Sequence, residues 1–206
     1  MPGAPAVKLT ATVFLSLDGV YQGPGRPDED RRDGFDRGGW QASHFDDEIG
    51  LAIRGLYDRA DALLLGRVTW EIWAPYWPQH DDNPIGRVIN ALPKYVPSTT
   101  LTDPTWRNTR VLAGDVEAAV RELKAQPGRD LLLQGSGVLL RWLLERDLID
   151  ELILFVSPVV VGSGLRLFPE HGPSHDLVLV DSRATPSGVV IQTLRPAGRA
   201  TFGTID

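Results

Sequence analysis

Short apolar runs that stop at a glycine and pass straight into a stretch of helical spacing recur along this chain. Residues 61–65 stop at Gly66, before a short helix from Thr69 towards Trp73 that halts near Pro75. Residues 130–134 stop at Gly135, before a helix that continues to about Arg146. A strand, a helix and another strand close most readily as a parallel pair, and a parallel sheet must be covered on both faces. This alternation constrains the fold more tightly than any single motif.

The other segments fit the same scheme. Residues 8–17 alternate as a strand does, with Leu9, Ala11, Val13, Leu15 and Leu17 on one face and Thr10, Thr12 and Ser16 on the other. Ser43, with Asp46 three residues on, opens a helix in the manner of a capping box; Phe45, Ile49, Ala52, Ile53, Leu56 and Ala60 share its apolar face. Asn83-Pro84 starts a helix to Leu92, and Asp115 caps another that points Val116, Ala119, Val120 and Leu123 inward. Residues 95–98, 110–113 and 151–161 read as strands, and 176–182 with 188–195 as a closing antiparallel pair. The expectation is an α/β fold of one domain. Its central sheet has about eight strands, mostly parallel, with an antiparallel C-terminal edge and helices on both faces.

Residues 19–43 break the pattern. They are polar and hold Gly23, Gly25, Gly34, Gly38 and Gly39 with Pro24 and Pro27. A loop this long inside a compact domain is functional or mobile, and it is a candidate lid.

Composition excludes several classes. The chain of 206 residues has no cysteine, so disulfides, thiolate nucleophiles and Cys-ligated metals are ruled out. No stretch approaches the ~20 apolar residues of a spanning helix, and Met1 to Lys8 lacks the pattern of a secretory signal. No membrane association is expected, and the cytoplasm is the expected location. The net charge is −6 and no basic cluster stands clear of acids, so nucleic acid is not an expected partner. His44 and His80 are isolated, and Gly172 and Pro173 forbid the helix that would align His171 with His175; no metal site is expected.

Three strand exits could hold a ligand. Gly66-Arg67-Val68-Thr69 joins a bare backbone, a helix start and a forked cation suited to phosphate. Gly135-Ser136-Gly137-Val138 could cradle a pyrophosphate or be a tight turn. The hydroxyls of Ser98 and Thr99 could contact a ribose or simply belong to strand composition. For acid–base work the candidates are Asp46, at the margin of an apolar helix face, and Asp18, at the first strand's exit. Asp46 reads equally as a first-turn acid, and Asp18 as part of an Asp-Gly turn. Trp70, Trp73, Tyr76 and Trp77 form an aromatic group that suits either core packing or the wall of a flat heterocycle site.

As an ordered set, several stretches resemble one family, the bacterial dihydrofolate-reductase-like proteins related to the reductase domain of the riboflavin-biosynthesis deaminase/reductase. They are Ser16-Leu17-Asp18-Gly19-Val20, Leu64-Leu65-Gly66-Arg67-Val68-Thr69-Trp70-Glu71, Lys94-Tyr95-Val96-Pro97-Ser98, Gln134-Gly135-Ser136-Gly137 and Ser157-Pro158-Val159-Val160-Val161-Gly162-Ser163-Gly164. The resemblance implies NADPH as cofactor and a homodimer. By similarity to true dihydrofolate reductases, Gly66, Arg67, Val68 and Thr69 belong to the cofactor site, Arg67 and Thr69 would hold phosphate groups, and Ser98 and Thr99 would flank the adenosine ribose. Gly135, Ser136, Gly137 and Val138 would then lie along the pyrophosphate. The implied reaction is hydride transfer to a small pyrimidine- or pterin-like heterocycle, closest to 5-amino-6-(5-phosphoribosylamino)uracil reduction; Asp46, from its place on the helix margin, is the candidate for proton delivery or substrate anchoring, with Asp18 at the mouth. Dihydrofolate reduction is the runner-up, and a non-catalytic dimeric nucleotide-binding or regulatory protein is the alternative of a different class.

Overall fold

In the computed structural model, which describes residues 6–205, eight strands form one sheet in the order β4-β3-β2-β5-β1-β6-β8-β7. The strands are β1 (Leu9–Ser16), β2 (Ala60–Leu64), β3 (Lys94–Pro97), β4 (Thr109–Leu112), β5 (Asp130–Gln134), β6 (Glu151–Ser157), β7 (Leu177–Ala184) and β8 (Val190–Pro196). The first six lie parallel; β8 runs antiparallel to β6, and β7 to β8. The expected architecture, with its antiparallel C-terminal edge, is the one observed. Helices α1 (Asp47–Asp58), α2 (Arg67–Trp73), α3 (Pro84–Ala91), α4 (Val116–Ala125) and α5 (Gly137–Leu144) supply the covering layers.

Period-two alternation sends successive strand residues to two separate cores. On β5, Leu131 and Leu133 join the core beneath α4 and α5, whereas Leu132 joins the one beneath α1, α2 and α3. Likewise, Leu152 and Leu154 of β6 face the first core, and Ile153 and Phe155 the second. These side chains are almost wholly buried, each contributing about 1.5–3 kcal/mol of transfer free energy. No helix among the described residues is long and apolar enough to cross a membrane.

Several expected boundaries shift for local reasons. The first helix starts at Asp47, because Asp46, not Ser43, is its N-cap; Asp46 Oδ1 accepts from Ile49 N at 2.9 Å. Ser43 sits in a single 3₁₀ turn, Phe45 is exposed, and Ala60 opens β2 instead of closing the helix face. The strand expected over 151–161 stops at Ser157, since Pro158 has no N–H to continue the ladder. Residues 19–43 are irregular, with two 3₁₀ turns, and are pinned by a small cluster of Val20, Phe35 and Val161.

A buried cation closes the second core. Lys94 is fully buried at the start of β3, where its Nζ donates to the carbonyls of Asn90 (3.1 Å), Leu92 (2.8 Å) and Arg107 (3.2 Å) and lies 4.5 Å from the Trp106 ring centroid. Two of these carbonyls belong to the end of α3, which the helix itself leaves without donors. Burial pulls the Lys94 ammonium down to about 8, with the Arg107 charge adding to the shift. Between about pH 8 and the ordinary value of 10.5, the unfolded chain therefore holds this proton more readily than the folded one. Stability attributable to Lys94 rises with pH across that window. Lys94→Met removes the only donor to those carbonyls from this side chain and should cost about 2–4 kcal/mol at pH 7 in urea unfolding. The wild-type advantage should widen by up to ~3 kcal/mol as the pH is raised from 8 to 10.5. An advantage that stays flat or narrows would refute the assignment.

Candidate active site

Strands β2 and β5 are neighbours, so their C-terminal exits open side by side. Ligand crevices in sheets of this kind lie beyond those ends. Here the two exits are joined through one hydroxyl. Ser136 Oγ accepts from Gly66 N at 2.8 Å and donates to Thr69 Oγ1 at 2.8 Å. Ser136 holds a left-handed conformation (φ 59°, ψ 49°) and is the N-cap of α5 without capping it by its side chain. Gly135, also at positive φ (58°), leaves the backbone bare, since a Cβ there would meet nothing nearer than the Thr69 side chain at 3.9 Å. Gly137 is needed for a different reason: a Cβ would come within 2.6 Å of the Tyr21 ring.

A cleft of about 480 Å³ extends from this junction. Gly66, Arg67, Val68 and Thr69 line one side, and Gly135, Ser136, Gly137 and Val138 the next. The residues expected at both glycine exits thus meet around one cavity. Arg67 opens α2 and pairs with Glu71 at 2.6 Å, one helical turn on. The first turn of α5 carries no side-chain cap, and Gly137, Val138 and Leu139 at its start line the cleft. Uncapped N–H groups, bare glycine backbone and a guanidinium together suit a phosphate-bearing ligand.

The third expected junction does not join them. Pro97 lines the cleft, whereas Ser98 and Thr99 are not among its walls. Ser98 Oγ instead accepts from Thr100 N (3.1 Å) and Leu101 N (2.9 Å), shaping the turn after β3.

Both expected carboxylates are also placed elsewhere. Asp46 does not line the cleft; Oδ1 caps α1 and Oδ2 accepts from Ser187 N at 2.9 Å. Burial alone would raise its pKa, but the Ile49 and Ser187 N–H groups hold it well below the usual carboxylate range. Asp18 clasps the loop that follows β6. Its Oδ1 accepts from Ser16 Oγ (2.7 Å) and Val161 N (2.9 Å), and its Oδ2 from Gly162 N (2.8 Å) and Arg166 Nη2 (3.3 Å). Against burial, the Ser16 hydroxyl and the two N–H groups keep it ionised. A carboxylate locked in its charged form by fixed donors is a poor proton source. The proton-delivery role expected of Asp46, with Asp18 at the mouth, is therefore corrected to helix capping and loop clasping.

Residues that no motif singled out complete the walls. The 19–43 loop contributes Tyr21, Gln22, Glu29, Asp30, Arg32 and Gln41. Asp30 is buried and bound to Arg32 through Nε (2.8 Å) and Nη2 (2.5 Å). Burial would raise Asp30, but Arg32 holds it low. Phe14, Ile72, Trp73 and Trp142 provide apolar surface. The aromatic group divides between its two readings: Trp70 is buried in the core, while Trp73 lines the cleft and is braced edge-on by Trp77 at 5.8 Å. The loop's glycines and prolines mark it as unusual, but no local spacing tells which of its side chains turn inward.

Known proteins are similar to this chain in sequence or in fold. The uncharacterized protein YyaP of Bacillus subtilis (strain 168) is 30% identical over 145 residues, 68% of this chain and 76% of that protein. A pyrimidine reductase-like protein of Corynebacterium diphtheriae matches the fold with a TM-score of 0.62 at 14% identity, over 93% of this chain and 92% of that one. A dihydrofolate reductase of Enterococcus faecalis, solved in complex with NADP(H), matches with a TM-score of 0.57 at 13% identity, over 94% and 98% of the two chains. The pattern that defines the RibD C-terminal domain matches residues 7–191, and the chain belongs to that family.

Proposed function

We propose that this chain is an NADPH-dependent reductase that delivers hydride to a small pyrimidine- or pterin-like heterocycle, closest in kind to 5-amino-6-(5-phosphoribosylamino)uracil reduction. The observation that carries this reading is the single cleft in which Arg67, the bare Gly135 backbone and the uncapped start of α5 converge. Family membership supports the reductase chemistry. The NADP(H) bound to the Enterococcus faecalis enzyme of like fold supports the choice of nucleotide.

The residues present fit such a dinucleotide. Arg67 and Thr69 would hold phosphate at the start of α2, and residues 135–138 would follow the pyrophosphate. When bound, the cofactor supplies the hydride; the chain's part is to orient the acceptor, exclude water and provide a proton. Asp30 is held ionised by Arg32, and Glu29 Oε2 accepts from the N–H groups of Gly25 (2.6 Å) and Arg26 (3.2 Å). Tyr21 is different. Burial pushes its hydroxyl up against the pull of the Arg141 and Arg32 guanidiniums, so it keeps its proton at neutral pH. Packing on Gly137 fixes the ring, and Tyr21 is our proton donor.

Arg67→Ala should weaken NADPH binding about 10–100-fold, as read by nucleotide fluorescence, and erase a preference for NADPH over NADH. Equal affinity for both nucleotides in the wild type would overturn the phosphate role. Tyr21→Phe should lower kcat by about 10²–10⁴ while leaving NADPH affinity within a few-fold. Unchanged turnover in that variant would remove Tyr21 from the chemistry. Substrates for both measurements come from following NADPH oxidation with ribosylaminopyrimidines, pteridines and dihydrofolate.

A further inference from the structure

The Tyr21 side chain borders two cavities. It lines the cleft, and it lines a second cavity of about 280 Å³ together with Arg141, Arg166 and Glu170. Its ring is fixed at the end that bears the hydroxyl. A Cβ at Gly137 would stand 2.6 Å from both Cε1 and Cζ of Tyr21, so this end of the ring rests on the first turn of α5. Arg141 follows four residues later on α5, one turn on, on the same face and about 6 Å along the axis.

One stretch of backbone ties both residues down. Tyr21 N donates to the Leu165 carbonyl (3.0 Å), and Arg141 Nη1 donates to the carbonyls of Arg166 (3.2 Å) and Leu167 (3.0 Å). Neutral carbonyls occupy Nη1, and no carboxylate among the described residues pairs with Arg141, so its charge is not cancelled. The neighbouring cations differ: Arg32 is bound to the Asp30 carboxylate, and Arg166 to the carbonyl and carboxylate of Asp18. Burial raises the pKa of the Tyr21 hydroxyl; the Arg141 charge, the Arg32 charge and a hydrogen bond with Arg141 lower it, and the Asp30 charge raises it.

A guanidinium can only donate, whereas a phenol oxygen has one proton and two acceptor positions. The bond from Arg141 therefore takes a lone pair of Tyr21 Oη and leaves its proton to be given elsewhere. We infer that Arg141 is the positioning residue of the proton transfer: it holds Tyr21 Oη as an acceptor, leaves the phenol proton for the cleft and stabilises the tyrosinate that remains. This rests on the reading of Tyr21 as proton donor and deepens it.

The step balances. Hydride reaching the carbon of a C=N or C=O bond leaves the π electron pair on the nitrogen or oxygen. The Tyr21 O–H bond breaks, its proton joins that atom, and the O–H electron pair stays on Oη beside the guanidinium. A solvent proton returns to Oη through the second cavity, which the same ring lines.

The test places fluorotyrosine at position 21 and titrates its more acidic phenol by phenolate absorbance in NADP+-saturated protein. Arg141→Met should raise the midpoint by about one pH unit or more, since an adjacent positive charge favours the phenolate. Arg141→Lys keeps a charge and should recover at least half of that shift. If Arg141→Met does not fold, Arg141→Gln takes its place in the same titration, because it loses the charge but keeps a donor for the 166 and 167 carbonyls. With Tyr21 in place, Arg141→Met should lower kcat about tenfold while KM and NADPH affinity stay within a few-fold. It should add no further loss to Tyr21→Phe, because both act on one proton. An unmoved midpoint, or losses that multiply in the double variant, overturns the proposal. Full turnover in Tyr21→Phe counts instead against Tyr21 as donor; the titration, which needs no substrate, then still decides whether Arg141 holds the phenol oxygen.

Discussion

The hydroxyl of Ser136 determines how the two glycine exits sit relative to one another. It takes the N–H of Gly66 and gives its own proton to Thr69, so the start of α2 and the turn before α5 cannot move independently. The left-handed backbone at Ser136 follows from that duty. A non-glycine residue at positive φ is disfavoured, and here the strain is held by bonds to the neighbouring strand exit. Any Cβ at Gly66 would stand 3.1 Å from Ser136 Oγ, so both partners of this contact are constrained in size. The floor of the cleft is therefore built by sheet adjacency: β2 lies beside β5, and one side chain ties their exits together.

The sheet was legible because strand burial leaves a strong trace. Leu131, Leu132 and Leu133 read as a run covered on both faces, and they divide between two cores. The antiparallel edge was signalled by the closely spaced strand patterns over 176–182 and 188–195. The errors fell where two local signals competed. Ser43 and Asp46 are both good cap residues, and Asp46 prevails because its second oxygen also accepts from Ser187 N, a contact 141 residues away in sequence. Phe45 fits the apolar spacing but precedes the true helix, so the periodicity did not apply to it.

The site was half legible for a similar reason. Glycine-bearing exits announce themselves by composition, and the structure brings two of them to one cavity. The loop side chains do not, because their direction is set by contacts remote in sequence. Gln22 Oε1 receives Leu165 N, and Trp40 Nε1 donates back to the Gln22 carbonyl. Asp18 and Asp46 show the converse. Each had the residue type and position of a proton donor, yet the loops that surround them supply enough donors to fix the anionic form. Residue type suggests a role, but the hydrogen-bond environment decides which protonation state is available.

Backbone contacts within the 19–43 loop hold it as part of the cleft wall. Gly38 could not bear a Cβ, which would lie 2.6 Å from the Arg26 carbonyl oxygen, and Gly39 N and Gln41 N donate to the carbonyls of Gly23 and Pro24. Two passes of the loop are thus packed backbone to backbone, and that packing requires glycine at positions 38 and 39. The conformation places Glu29, Asp30 and Arg32 against the cleft as a preassembled charged unit.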